Sequence, residues 1–256
     1  MKSKSGEDVF GLFESIALAG AGQSFSPSDP AAPYVAQAED VFSQMTQSLA
    51  SRGLGWKDVV RTWFYLDDIY SWYGDFNKVR TACFAKHGVK VPPASTGIGL
   101  KAGKGAIRAS VLVAPKGWKS VESPLQIPAT DYKSSFSRAA EANGILYVSG
   151  TASILPGSRE VAHPGDFPAQ LDCTLNAVEA ILKSKGTLWS GVSRAVAYCK
   201  REEFIDAAKE KMFSLGLKED ALFCLVADVC RDEWLFELEV DAPVAPWKQD
   251  GRGHHD

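Results

Sequence analysis

The chain contains one internal repeat. Sliding the sequence by 133 positions, from residue 36 to residue 169, aligns residues 36–65 with residues 169–198 without a gap. Identical residues fall at matched positions along this window: Leu49 with Leu182, Gly53 with Gly186, Trp56 with Trp189, Arg61 with Arg194 and Tyr65 with Tyr198. Such self-similarity predicts two copies of one structural unit, and it favours two domains of ordinary size over one large domain.

Both copies predict the same order of secondary structure. Each begins with an amphipathic helix whose apolar residues share one face. These residues are Ala38, Val41, Phe42, Met45 and Leu49 in the first copy, and Leu171, Leu175, Val178 and Leu182 in the second. Gly53 and Gly186 are expected to end the helices. The further predicted elements are a strand (Val59–Leu66; Val192–Cys199), a helix (Trp72–Lys86; Glu202–Ser214) and two strands (Ser95–Leu100 and Ile107–Ala114; Leu222–Val229 and Trp234–Asp241).

This order predicts an α+β fold of two tandem domains, each a mixed sheet covered on one face by two helices. We place the domains at residues 1–118 and 134–246, with a polar, proline-bearing linker at 119–133 and a disordered tail at 247–256. An opening hairpin is expected around Val9–Ala19. In the second domain, a strand at Ile145–Ser149 is expected to lead into a Ser/Thr/Gly turn that could bind a small anion.

Composition excludes several classes of function. A formal net charge of −3 without a Lys/Arg block argues against a nucleic-acid partner. The five cysteines contain no CxxC pair, which favours reduced thiols over disulfides or a zinc site. No apolar run has transmembrane length and the start does not resemble a signal peptide, so we expect a cytoplasmic protein without a membrane partner. No cofactor or metal is predicted, since Gly103–Gly105 lacks the Walker spacing.

Several segments resemble known families. The strand end Tyr147–Gly150 and the closing run Phe236–Val240 resemble the Rid superfamily, also called YjgF. More narrowly, the second half resembles the C-terminal half of chorismatases, in the segments Ser135–Ala139, Ser149–Ile154, His163–Asp166 and Ala227–Arg231. Over residues 1–118 the likeness is looser, and its best markers are Arg61–Trp63 and Phe76–Asn77. The resemblance implies a chorismate-mutase-like fold in each domain and assembly around a barrel of sheets, so we expect a homotrimer.

The chain departs from the Rid pattern at one important place. Rid deaminases hydrolyse enamines and imines, and they grip the substrate carboxylate with an arginine in a Pro-Ala-Arg-Ser stretch. Here the corresponding segments are Pro93–Thr96 and Ala221–Cys224, and neither contains arginine. Because Ser and Leu cannot form a bidentate carboxylate clamp, ordinary Rid deaminase activity is not expected at these positions.

Glu237 is the strongest candidate for chemistry. In a strand, Glu237 and Glu239 lie on one face, while Phe236, Leu238 and Val240 point into the helix-covered core. A carboxyl group in a closed interface has its pKa raised by desolvation, which suits a general acid or base near neutral pH. The family resemblance also implies an essential acid at Glu237. The alternative is that both carboxylates are solvated or have structural partners.

Other candidates would bind the substrate. Arg138 could hold a carboxylate with two parallel hydrogen bonds, and Arg231 has the same potential; a surface salt bridge is the alternative for both. Ser149, Gly150, Thr151 and Ser153 could offer hydroxyls and backbone amides to an anion, or they could merely shape a turn. These four residues make up the predicted anion-binding turn.

Some residues are weaker candidates. Cys224 is expected to be a buried structural thiol, and His163 is expected to organise a loop rather than carry protons. In the first domain, aligning Ala114–Pro115 with Ala242–Pro243 places Ala109 and Val111 opposite the two glutamates. The first half would therefore lack the acid, and chemistry is expected in the second half.

Three functions fit these observations. The first is a chorismatase-like hydrolase of chorismate or a related carboxylated enol ether, in which Arg138 binds the substrate and Glu237 handles the proton. The second is a Rid-type enamine or imine deaminase with a relocated carboxylate clamp. The third is a non-catalytic, trimeric scaffold that binds a small carboxylated metabolite.

Overall fold

The first half of the chain follows the predicted order of elements. The computed structural model describes residues 23–101, 103–132 and 134–244, so the predicted hairpin at Val9–Ala19 and the tail at 247–256 lie outside the described residues. The elements of this half are β1 (Gln23–Phe25), α1 (Tyr34–Ser51), β2 (Val59–Leu66), α2 (Ile69–Lys86), β3 (Ala94–Gly99) and β4 (Ile107–Val113).

The second half repeats this order with additions. Its elements are β5 (Lys119–Val121), β6 (Ala139–Ala142), β7 (Ile145–Ala152), α3 (Phe167–Ser184), β8 (Arg194–Cys199), α4 (Ile205–Ser214), β9 (Leu222–Val226), β10 (Asp228–Val229) and β11 (Phe236–Pro243). Two differences from the sequence prediction affect the site. β7 continues to Ala152 instead of ending at Ser149, and the predicted strand Leu222–Val229 is divided into β9 and β10.

The long helices bury the faces that their periodicity predicts. All the apolar residues named for α1 and α3 are buried, and each set packs in the core of its own domain. Gly53 and Gly186 follow the two helices with φ angles of 69° and 70°. This left-handed conformation strains residues that have a Cβ, which explains glycine at both matched positions.

Each domain contains one mixed sheet. The first sheet has the strand order β1-β4-β2-β3-β10, and the second has the order β5-β6-β7-β11-β8-β9. In each sheet one neighbouring pair of strands is parallel, β2 with β3 and β8 with β9. The predicted α+β architecture of two tandem domains is confirmed. Within the described ranges, no helix combines the length and the hydrophobicity that a bilayer crossing requires.

Two strands modify the predicted boundaries. β10 belongs to the second half by sequence, yet it pairs antiparallel with β3 of the first sheet. β5 lies in the predicted linker and forms the edge of the second sheet by pairing with β6. The segment at 119–133 is therefore partly structural, and β10 ties the second half to the first.

The two sheets pack face to face, with the helices outside. A separate apolar cluster joins the inner faces, including Trp63 and Tyr65 of β2 with Val196 and Tyr198 of β8. The tyrosines occupy matched positions of the repeat, and both are buried. The arrangement buries the inner face of β11, which carries the predicted acid, between the domains.

Candidate active site

A cleft opens between the two domains near β3 and β7. The first domain contributes Tyr73, Arg80, Ser95 and Gly97 to its walls. Of the predicted site residues, Arg138, Gly150, Arg231 and Glu237 line the cleft. The second domain also contributes Ser134, Phe136, Ala152, Ile154, Cys230 and Trp234 to the wall. The cleft thus brings together four of the seven residues that the sequence selects, and adds residues from the other domain.

Glu237 lies on β11 with its carboxyl group in this cleft. Its neighbours Phe236 and Leu238 pack in the helix-covered core, as strand alternation predicts. Only 5% of Glu237 is exposed. Burial, followed by the charge of Glu239, raises the pKa of Glu237 to about 8, although Arg61 opposes the shift. Glu237 is therefore largely protonated at neutral pH, which is the state of a general acid.

Gly150 provides the space that Glu237 occupies. A Cβ atom added at Gly150 would overlap Oε1 of Glu237 and would lie 2.9 Å from its Cδ. The backbone N–H of Gly150 donates to Oγ1 of Thr96, at 3.1 Å, across the domain boundary. Glycine is required here for the close approach of a side chain rather than for an anion-binding turn.

Glu239, two residues along the same face, has a different environment. Arg61 Nη2 and Arg194 Nη1 each lie 2.7 Å from its carboxylate oxygens. The indole N–H of Trp63 donates to the same carboxylate at 3.1 Å, and the Thr96 hydroxyl donates to it as well. Burial alone would raise the pKa of Glu239, but the charges of Arg194 and Arg61 outweigh burial and hold it below its ordinary value. Glu239 is therefore ionised and enclosed.

Two buried arginines meet at one aromatic ring in the cleft. The guanidinium carbon of Arg138 lies 5.5 Å from the centre of the Phe136 ring, and that of Arg80 lies 6.0 Å from it. Arg138 Nε donates to the carbonyl oxygen of Ile127, at 3.0 Å, and Arg80 Nη2 donates to Asn77 Oδ1, at 2.7 Å. Stacking and these anchoring bonds fix the direction of both guanidinium groups.

Arg231 adds a third guanidinium group. It stacks on Trp234 at 4.9 Å from the ring centre, and its Nη1 donates to the carbonyl oxygen of Arg159 at 2.8 Å. Three cations thus line a cleft whose carboxyl group holds a proton at neutral pH. The local charge favours an anionic ligand.

Most residues of the predicted anion-binding turn lie in a strand instead. Residues 149–152 belong to β7, and the hydroxyls of Ser149, Thr151 and Ser153 are buried outside the cleft lining. Each hydroxyl donates to a backbone carbonyl, namely that of Ser137, Ser149 or Ala162 respectively. These residues support the cleft wall, because their hydroxyls are engaged in holding the backbone.

The comparison of Ala109 and Val111 with the two glutamates is wrong by one residue. Opposite Tyr198 and Val196 of β8 stand Glu237 and Glu239; opposite their repeat counterparts Tyr65 and Trp63 stand Arg108 and Ser110 of β4. Ala109 and Val111 point into the helix-covered core. A shift of one residue changes the face of a strand, so an alignment at the strand end misplaced the pair. The corrected positions also contain no acid.

The two weaker candidates lie away from the cleft. Cys224 packs against the core of the second domain, and burial raises the pKa of its thiol to about 11. His163 is exposed in a loop, with a φ angle of 55°.

Sequence reasoning missed the contribution of the first domain. Arg80 is the clearest omission, and a signal for it exists: it lies four residues from both Phe76 and Phe84, on the buried stripe of α2. A cation on an apolar stripe must be paired or face a cavity. Tyr73 and Thr96 gave no such signal, because their roles arise from the contact between domains.

Comparison with known proteins agrees with this architecture. Residues 19–105 match the family model described as Endoribonuclease L-PSP. A solved chorismatase structure superposes with a TM-score of 0.73 and 23% sequence identity, covering 86% of this chain and 74% of the chorismatase. The chain shares the chorismatase fold. No curated protein matches its sequence.

Smaller structures align with about half of the chain. The Rid-family protein YyfA of Yersinia pestis has a TM-score of 0.42 and 22% identity, covering 50% of this chain and all of its own. The YjgF gene product of E. coli has a TM-score of 0.41 and 20% identity, covering 49% of this chain and 98% of its own. The predicted resemblance to Rid proteins and chorismatases is confirmed. The family model matches the first half, where the sequence analysis expected the looser likeness, and the chorismatase fold spans both halves.

Proposed function

We propose that the protein is a hydrolase of a carboxylated enol ether, with chorismate as the first substrate to test. The observation that carries the proposal is a buried carboxyl group with a raised pKa, Glu237, in a cleft lined by arginines. The chorismatase fold supports it, since the cleft lies between two domains that superpose on a chorismatase.

Binding depends on the arginines. Arg138 and Arg80 are held against Phe136, so they present fixed guanidinium groups to a carboxylate. Such preorganised cations bind planar anions with two parallel hydrogen bonds. Arg231, more exposed, lies toward the same space. These residues orient the enol ether toward Glu237.

Hydrolysis begins with proton transfer to carbon. Glu237 donates its proton to the terminal methylene carbon of the enol ether, and the adjacent carbon becomes an oxocarbenium centre. Water adds to that centre and returns a proton to the Glu237 carboxylate. In the resulting hemiketal, the bond between the central carbon and the ether oxygen then breaks. The hemiketal hydroxyl loses its proton as it becomes the keto group of pyruvate, and the ether oxygen takes up a proton and leaves with the ring as an alcohol. A carboxyl group with a pKa near 8 carries a proton at neutral pH, so it is ready to donate at the start of each cycle.

A Rid-type deaminase is the second candidate. Such an activity needs an arginine that binds the substrate carboxylate, and the chain has none at the Rid position. The arginines of the cleft could bind the carboxylate from another position. In that reaction the products include ammonia, whereas enol ether hydrolysis releases pyruvate and an alcohol.

The test is incubation of the pure protein with chorismate and with a panel of small imines and enamines, followed by mass spectrometry. We expect pyruvate from chorismate. In D2O, one deuterium should enter the methyl group of pyruvate, because the proton is delivered to carbon. The lactyl ether analogue, which has no double bond to protonate, should bind without turnover.

Other results would favour the alternatives. Ammonia from the imines without pyruvate from chorismate would indicate a deaminase. Tight ligand binding by both the wild-type protein and the Glu237→Gln variant, with no turnover by either, would indicate a ligand-binding scaffold.

A further inference from the structure

Glu239 is a buried charge that the proposed reaction does not use. It lies two residues from Glu237 on the same face of β11, and it does not line the cleft. Of the four described residues that donate hydrogen bonds to it, Arg61, Trp63 and Thr96 belong to the first domain. The fourth, Arg194, also binds Asp241 at 2.6 Å. The first domain therefore holds a carboxylate of the second.

Glu239 and its partners affect Glu237 in two ways. The first is structural: Thr96 donates to Glu239 and accepts from the Gly150 N–H, and Glu237 packs against Gly150. The second is electrostatic, because side chains two positions apart on a strand are neighbours in a medium that screens charge poorly. A fixed negative charge at this distance disfavours a second one.

We propose that Glu239, held by side chains of the first domain, is a positioning residue that keeps the acid Glu237 protonated and in place. The inference rests on the proposed function for the role of Glu237 as proton donor. It gives the first domain a part in the chemistry, although Arg108 and Ser110 stand in that domain at the positions matched to the two glutamates.

Other groups also act on Glu237. Those that face it or line its cleft are Arg61 from β2, Tyr73 and Arg80 from α2, Arg138 before β6, Tyr198 from β8, and Cys230 and Arg231 after β10. Among the charges, Glu239 raises the pKa of Glu237 more than Arg61 lowers it. Removing the Glu239 charge takes away a group that raises the pKa of Glu237 and leaves the opposing charge of Arg61 in place, so the pKa of Glu237 falls.

The experiment is the pH profile of kcat/KM for the Glu239→Gln variant. An acid catalyst works while protonated, so wild-type activity should fall as the pH rises through the pKa of Glu237. In Glu239→Gln, we expect the midpoint of this alkaline limb to move down by about one pH unit or more, a tenfold change in proton affinity. Asp241→Asn is the matched control, because it also removes a carboxylate partner of Arg194 but leaves Glu239 charged. Its alkaline midpoint should equal that of the wild type.

Two further measurements keep the proposal testable if Glu239→Gln does not fold or if the proposed substrate is not turned over. Arg61→Met combined with Glu239→Gln removes one ion of each sign and avoids an uncompensated buried cation if Glu239→Gln fails to fold. The alkaline midpoint of this double variant should still fall, but by less, since Glu239 has a larger effect on Glu237 than Arg61 has.

Carboxyl carbon-13 NMR on glutamate-labelled protein, with Glu237→Gln to identify the signal, follows the titration of Glu237 without turnover. Failure of the proposed function would leave this readout intact. An unchanged Glu237 midpoint in a folded variant lacking Glu239 would overturn the proposal.

Discussion

At the residue scale, two glutamates on one strand show how partners decide protonation. Glu237 and Glu239 have the same side chain and similar burial, and their pKa values move in opposite directions. Glu239 faces two guanidinium groups, whereas Glu237 faces the charge of Glu239. Alternation along the strand predicts their shared face from sequence. The partners were not predictable, because Arg61 and Thr96 come from the other domain.

The role of Glu237 leads to a prediction about activity. Glu237→Gln keeps the size of the side chain but cannot donate the proton, so we expect kcat to fall about 10²- to 10⁴-fold. Arg138→Ala should mainly raise KM, with part of the lost binding expressed in kcat. Steady-state kinetics on a confirmed substrate, with folding checked by circular dichroism, provides the measurement. Full activity of Glu237→Gln would place the chemistry on another residue.

The same substitution should affect stability in the opposite direction. The pKa of Glu237 is about 8 in the folded protein, against an ordinary value of 4.5 that applies to the unfolded chain. Folding therefore takes up a proton at pH values between 4.5 and 8. Stability contributed by the protonated state is present below pH 4.5 and is lost as the pH rises through 8. Above pH 8 the charged group costs about 3–5 kcal/mol. We expect Glu237→Gln to raise the melting temperature more at pH 9 than at pH 6. An equal effect at both pH values would contradict the raised pKa.

At the scale of elements, sequence periodicity predicted the helices and central strands well. It failed for short strands and for strand register, which depend on pairing with a distant strand. The apolar stripes of α1 and α3 and the bounds of β2 follow from local pattern. β10 and β5 do not, because two or three residues carry no period and gain their structure by pairing with a distant strand. The one-residue error at Ala109 has a related cause, since register depends on the partner strand.

The pairing of β10 with β3 gives an element-scale prediction. A Cβ added at Gly99 would lie 2.6 Å from Asp228 Cβ and 2.6 Å from Ile69 Cγ2, so Gly99→Ala should push β10 away from the first sheet. Because Cys230, Arg231 and Trp234 follow β10, the cleft wall should loosen as well. We expect faster amide hydrogen exchange at residues 228–229 and weaker ligand binding. Gly97→Ala is the control for the exchange measurement alone, because Gly97 lines the cleft and its added Cβ would meet Tyr73 at 3.4 Å rather than β10. Equal exchange in both variants would show that β10 docks independently of Gly99.

At the scale of the whole molecule, the repeat places two related domains in one chain, and the cleft needs both. The family resemblance predicts assembly into a homotrimer, with the second domains sharing an interface. Light scattering at micromolar concentration tests this prediction. A mass near three times 27.7 kDa would support it, and a monomer throughout would contradict it.

The contact between domains predicts how the chain unfolds. Arg61 of the first domain pairs with Glu239 of the second, both side chains are fully buried, and β10 crosses the same boundary. Breaking a buried ion pair by removing one partner costs about 3–5 kcal/mol, since the remaining charge is left uncompensated. Arg61→Ala should therefore lower a single, shared thermal transition in calorimetry. Arg194→Ala breaks two ion pairs within the second domain, to Glu239 and Asp241, and should lower the same transition. If the domains unfolded separately, two transitions would appear, and Arg194→Ala would shift one of them alone. A single transition that moves in both variants would show that the interface carrying the acid is also the centre of cooperative folding.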